Sequence, residues 1–233
     1  MLTQREAPEH PVSGARQTVT CWLALAGIIG PPLFVLLTLV EDILQDSFLM
    51  KTGNDPLVVS PMSANALGPT GWLQILTFIF FGLSIIALAL ALHRGVQAGR
   101  RSRIGISLLI AVGITMVLSG ICTEDSVAPG NPTTFHGLVH DLSFFAFLLI
   151  QTAMYFFLWR RFRKDERWRG YALYSLIVGI VALPLFVFFN GFLDSHDGFY
   201  LWFLLVPLTW LEVVALRLWK VARDLASECR NQV

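Results

Sequence analysis

Apolar residues fall into six long blocks, at about residues 21–40, 72–92, 104–122, 135–159, 171–190 and 199–219. Short polar segments separate them. Each block is apolar on nearly every face of a helix, unlike the one-sided stripe of a soluble surface helix. A bilayer core about 30 Å thick takes about 20 residues of helix to cross, which is the length of each block. Backbone polar groups in hydrocarbon must be satisfied within the segment, so helices are expected rather than open strands. The pattern predicts an all-α, polytopic membrane bundle of six transmembrane helices over 21–219, flanked by tails at 1–20 and 220–233. Trp22, Trp72, Trp159, Trp168, Tyr171, Trp202 and Trp219 lie near the predicted ends, where amphipathic rings favour the interface.

Composition supports this class. Hydrophobic residues make up 55% of the chain and charged residues 14%, against about 25% charge in an ordinary soluble domain. A disordered chain, a disulfide scaffold and a cytosolic enzyme are excluded. The placement of charge then gives an orientation. Two Lys/Arg lie in the N-terminal tail, four between the second and third blocks, six between the fourth and fifth, and four from the end of the sixth onward. Lys51 alone falls on the other side. The positive-inside rule predicts that both termini are cytoplasmic. The first block has full span length and follows a polar tail, so it is expected to be retained rather than cleaved. The opposite side collects Glu41, Asp42, Asp46, Asp55, Glu124, Asp125, Asp141, Asp194 and Asp197. Such a face attracts cations and repels anions. The basic loops read as topology signals and as contacts for anionic lipid headgroups, not as a nucleic-acid surface.

Candidate chemistry concentrates at the acidic side. His136 and His140 are four apart at the start of the fourth helix, a spacing that stacks two side chains on one helix face. Two such histidines can share a metal. Asp125 lies just upstream, and Asp194 and His196 lie in the third loop on this side. His136, His140, Asp125, Asp194 and His196 are therefore the candidate ligands for zinc or another divalent cation. No cofactor is required by any motif. The Glu of an H-E-x-x-H zinc protease is missing, as are a P-loop and a G-x-S-x-G elbow. Further inward, Gln74, Gln151 and Asn190 offer uncharged polar groups. Such groups prefer a bundle interior, where they either wall a polar pocket or hydrogen-bond between helices. Glu212 lies well inside a block and is expected to pair with Arg217.

Several stretches resemble a known family. Asp55-Pro56, then Asn65-Ala66-Leu67-Gly68-Pro69-Thr70-Gly71-Trp72-Leu73-Gln74, look like the first outer loop and second-helix start of the domain-of-unknown-function 998 family. Thr123-Glu124-Asp125, followed by Pro132-Thr133-Thr134-Phe135-His136-Gly137-Leu138-Val139-His140, is similar to its pattern F-P-x-D, then T-x-H-G-x-x-H. This chain departs by carrying Ile121-Cys122 and an extra acid, Asp141. The resemblance implies a six-helix integral protein of the cell (plasma) membrane of a bacterium or archaeon. It singles out Gln74, Asp125, His136 and His140 and implies no reaction.

Three functional readings follow. The first is a multi-pass membrane protein with an outward-facing polar pocket that binds a lipid headgroup or small polar ligand. The second is a membrane-embedded metal-dependent hydrolase acting on a lipid at the outer leaflet, with a metal-bound water as nucleophile. The third is a small transporter subunit. The expected partners are membrane lipids, with a homodimer or an unidentified membrane protein as further options.

Overall fold

A computed structural model of the chain describes residues 14–51, 62–96, 103–125, 132–192 and 195–231. The described residues form α1 (Gly14–Lys51), α2 (Gly71–Gly95), α3 (Ile104–Ile121), α4 (Phe135–Phe162), α5 (Arg169–Phe192), α6 (Ser195–Phe203) and α7 (Thr209–Asn231), and no strand. Short 3-10 turns occupy Met62–Leu67 and Glu166–Trp168. Six segments are long and apolar enough to cross a membrane: Gln17–Phe48, Gly71–Gly95, Ile104–Ile121, Phe135–Phe162, Glu166–Phe192 and Gly198–Asp224. The protein is a multi-pass, all-helical membrane protein. Its outer surface fits that solvent, since Ile43, Phe192 and Phe135 are 80%, 78% and 74% exposed.

Two boundaries differ from the hydrophobic pattern. The first helix does not stop near Val40 but runs on to Lys51. Glu41, Asp42 and Gln45 look like a helix end in sequence, yet they stay helical because partners from the 62–67 turn, from Thr70 just ahead of α2 and from α6 meet them. The sixth span is two helices, α6 and α7, joined by a π-helical turn at Leu204–Leu208 that contains Pro207. Proline cannot donate to the carbonyl one turn back, and a π-turn is a common way to absorb that loss.

Helices in lipid gain little from mutual apolar burial, so close backbone approach matters. The α2–α3 contact shows it. A Cβ placed on Gly82 would lie 2.5 Å from the Gly113 carbonyl oxygen, and one on Gly113 would lie 2.6 Å from the Gly82 oxygen. Large rings fill the middle of the bundle. Phe34 and Phe81 have centroids 4.5 Å apart, and Phe199 stacks on Phe203 at 5.7 Å. Trp168 and Trp202, expected at the interface, are fully buried. For Trp202 the reason is a partner inside: its Nε1–H donates to Ala182 O at 2.8 Å, which satisfies the only polar atom of the ring.

The arginine-rich end is closed by side-chain caps. Arg161, 3% exposed, donates from Nη2 to Val96 O at 2.8 Å and Leu92 O at 3.3 Å, at the C-terminus of α2. Arg217 donates to Arg167 O at 2.6 Å and lies over the Tyr171 ring. The expected Glu212–Arg217 pair therefore does not form. Residues five apart on a helix point to different faces, and Arg217 turns toward α5.

Candidate functional site

At the opposite, acidic end, a cavity of about 220 Å³ lies between the 62–67 turn and α1 to α6. Its walls are Phe34, Phe78, Phe144, Phe147, Phe186, Phe199 and Phe203, with Met62 and Met116. Its polar groups are Ser63, Ser119, Glu124, His140, Asp141 and Asn190. Drug-sized ligands usually occupy about 300–1,000 Å³, so this space suits an alkyl segment or a small ring rather than a whole lipid.

The polar groups are held by the chain itself. α3 ends at Ile121, and its last carbonyls need donors from outside the helix. His140 supplies one: Nδ1 lies 2.9 Å from Cys122 O and 3.2 Å from Ser119 O. Both neighbours are acceptors, so Nδ1 carries the hydrogen. With Nδ1 held there, the other ring nitrogen, Nε2, lies on the side of Glu124, whose Oε2 is 3.8 Å away. Ser63 Oγ donates to the same oxygen at 2.5 Å. The serine thus serves the carboxylate and not the imidazole, so the three do not form a Ser–His–acid relay. Asn190 lines the cavity and donates to Phe186 O at 2.8 Å.

Asp125 does something different. Its carboxylate accepts from Thr134 N–H and Thr134 Oγ1, both at 2.6 Å. Thr134 Oγ1 in turn accepts from Gly137 N–H at 3.1 Å and so caps α4. A Cβ on Gly137 would sit 2.1 Å from Asp125 Oδ2, so only glycine admits the carboxylate there. Asp125 is a positioning residue for the α4 N-terminus, where negative charge is favoured. The Thr134 hydroxyl and N–H hold its carboxyl below the usual range. A carboxylate depressed on folding stabilises above its unfolded pKa, about 3.9 for Asp, and that contribution fades as pH falls through the folded value. Asp125→Asn is therefore expected to lower Tm at neutral pH. The gap from wild type should be constant near neutral pH and start to narrow as pH falls below about 4, and a gap that does not change on acidification would count against this assignment.

The other sequence candidates scatter. His136 is exposed while His140 is buried, so the spacing of four does not give a shared pocket. Gln74 is buried between α1 and α2, donating to Thr38 Oγ1 at 3.4 Å. Gln151 accepts from Tyr155 OH at 3.4 Å, below the cavity. Asp194 and the side chain of His196 lie outside the described residues. Among the described residues there is no group of three or more His, Cys, Asp or Glu side chains able to hold a metal ion. The sequence reading missed Ser63 and the phenylalanine walls. A signal was present: His140, Phe144 and Phe147 repeat at helical spacing along one face of α4.

The stretch that ties Asp125, Thr134, Gly137 and His140 together lies within the part of the chain that a family match covers. Residues 28–217 match the family described as protein of unknown function (DUF998). The chain belongs to that family. No curated protein and no solved structure matches it. The structure gives the T-x-H-G-x-x-H stretch a physical meaning: a capping threonine, a glycine that admits the aspartate, and a histidine that closes α3.

Proposed function

We propose that this DUF998 protein binds an amphipathic molecule from the membrane, with an apolar segment in the phenylalanine-lined cavity and a cationic head at its polar end. The observation that carries the reading is the sign of the lining. Glu124 and Asp141 are both present, and no Lys or Arg is among the lining residues. Carboxylates and aromatic faces attract a cation, whereas an anionic head would meet like charge. This favours an amine or other cationic lipid-like head over a bare phosphate. The pocket would then face the outer leaflet, as the positive-inside rule predicts.

Trp202 is a built-in reporter, with its ring centroid 5.9 Å from that of Phe199 in the cavity wall. In nanodiscs of phosphatidylglycerol, a long-chain alkylamine is expected to change tryptophan fluorescence saturably. A matched alkyl phosphate is not. Glu124→Gln should weaken the amine by about ten- to a hundredfold, since a charge-assisted contact contributes about 1.5–3 kcal/mol. Non-specific partitioning into the anionic bilayer would be the same in both proteins. Equal response to both amphiphiles, or an unchanged affinity in Glu124→Gln, would overturn the reading.

A further inference from the structure

A second polar cluster lies at the acidic end of α1, apart from the cavity. Gln45 Nε2 donates to Glu41 Oε2 and, at 2.8 Å, to Asn65 O. Thr70 Oγ1 donates to the same Glu41 oxygen at 2.9 Å. Asp42 accepts from Asn65 Nδ2 at 2.5 Å and from Tyr200 OH at 2.7 Å. Gln74, one helical turn beyond Thr70, donates to Thr38, which lies three residues before Glu41 on α1. Glu41, Asn65 and Gln74 are each 0% exposed.

Three oxygens in this cluster have no donor: Glu41 Oε1, Asn65 Oδ1 and Gln74 Oε1. All three are acceptors, so the cluster lacks donors or positive charge and nothing else. Among the described residues, no Lys, Arg or His forms an ion pair with Glu41 or Asp42. A buried carboxylate with a bare oxygen is costly unless it is paired or neutralised. A proton on Glu41 would supply one donor and leave at least one amide oxygen bare. A cation beside Glu41 Oε1 would supply the positive charge that the cluster lacks, and the amide oxygens of Asn65 and Gln74 are the unpartnered acceptors nearest to it in the hydrogen-bond chain.

We propose that Glu41 Oε1, Asn65 Oδ1 and Gln74 Oε1 bind a small monovalent cation between α1, the 62–67 turn and α2. The donor set decides the class. Calcium takes about six to eight oxygens, and magnesium keeps most of its own water. One carboxylate oxygen and two neutral amide oxygens match a single positive charge. Asp42, with two donors of its own, adds negative potential without being a ligand.

The test uses the full-length protein in nanodiscs, unfolded by heat at fixed pH and ionic strength, with sodium replacing choline stepwise. Ligand that binds only the folded state raises Tm with concentration. Sodium is expected to raise Tm saturably in the wild type. Glu41→Gln should be insensitive to the exchange, and Gln74→Met should shift the midpoint to higher sodium. Indifference of the wild type to the exchange would overturn the site. So would a Tm that depends on pH but not on sodium, which would assign Glu41 a proton instead. A Glu41→Gln protein that responds like wild type would also overturn it. Should Glu41→Gln not fold, the wild-type exchange and Gln74→Met still decide.

Discussion

Gly113→Leu is expected to unfold the α2–α3 pair. The Cβ alone would lie 2.6 Å from Gly82 O and 2.6 Å from Ile86 Cγ1, with Ile86 N at 3.2 Å. Two of these three neighbours are backbone atoms, which cannot swing aside as a side chain can. The leucine branches beyond that Cβ would have to enter the same contact. Overpacking of a tight core costs about 1–3 kcal/mol and sometimes more, and a backbone-to-backbone contact belongs at the upper end. Because apolar burial does little to hold helices together in lipid, pushing α2 and α3 apart removes most of what joins them. The check is unfolding by heat or by a denaturing detergent in mixed micelles. Gly170→Leu is the control: no atom lies within 4 Å of a Cβ there, and the change should stay within about 0.5 kcal/mol. If Gly113→Leu and Gly170→Leu behave alike, the close approach is not a source of stability.

Arg161→Met is the second large effect, at the other end of the bundle. Its guanidinium sits under the C-terminus of α2, where the helix dipole is negative and the last carbonyls lack partners. Leu92 O also accepts from Val96 N–H, so Val96 O depends most on the arginine. Methionine keeps the length of the stem and removes every donor. Hydrogen bonds from a charged group contribute about 1.5–3 kcal/mol, so a loss of about 3 kcal/mol is expected, measured in the same mixed micelles. Arg161→Lys should recover only part of it, because one ammonium on a flexible stem does not reproduce the planar fork. Full recovery by lysine would show that charge alone matters there. An unchanged Arg161→Met would show that water replaces the cap.

The acidic end was partly legible before its geometry was known. His140 and Glu124 stood out as polar groups near the predicted membrane surface and Asn190 as one further inward, and all three line the cavity. Their roles were not legible. The spacing of His136 and His140 suggests a shared ligand, yet only His140 turns inward, because the carbonyls at the end of α3 need its Nδ1–H. Asp125 looked like a ligand and instead holds Thr134. Gln74 looked like a pocket wall and instead belongs to the α1 cluster with Thr38.

What the sequence determined alone is the solvent and the architecture. Long blocks, apolar on all faces, cannot be hidden from water in a chain of 233 residues, and hydrocarbon admits only helices or closed barrels, of which blocks of about 20 residues fit the helix. Those constraints act segment by segment, so they need no knowledge of neighbours. The tertiary structure decided everything that depends on a partner. Glu41 remains helical and fully buried because Thr70 and Gln45 donate to it, from the residue just ahead of α2 and from the next turn of α1. Arg217 leaves Glu212 for a carbonyl on the α4–α5 connection. Trp202 leaves the interface for a carbonyl on α5. A polar group in a membrane goes where a partner is, and partners far apart in the chain meet only once the helices are packed.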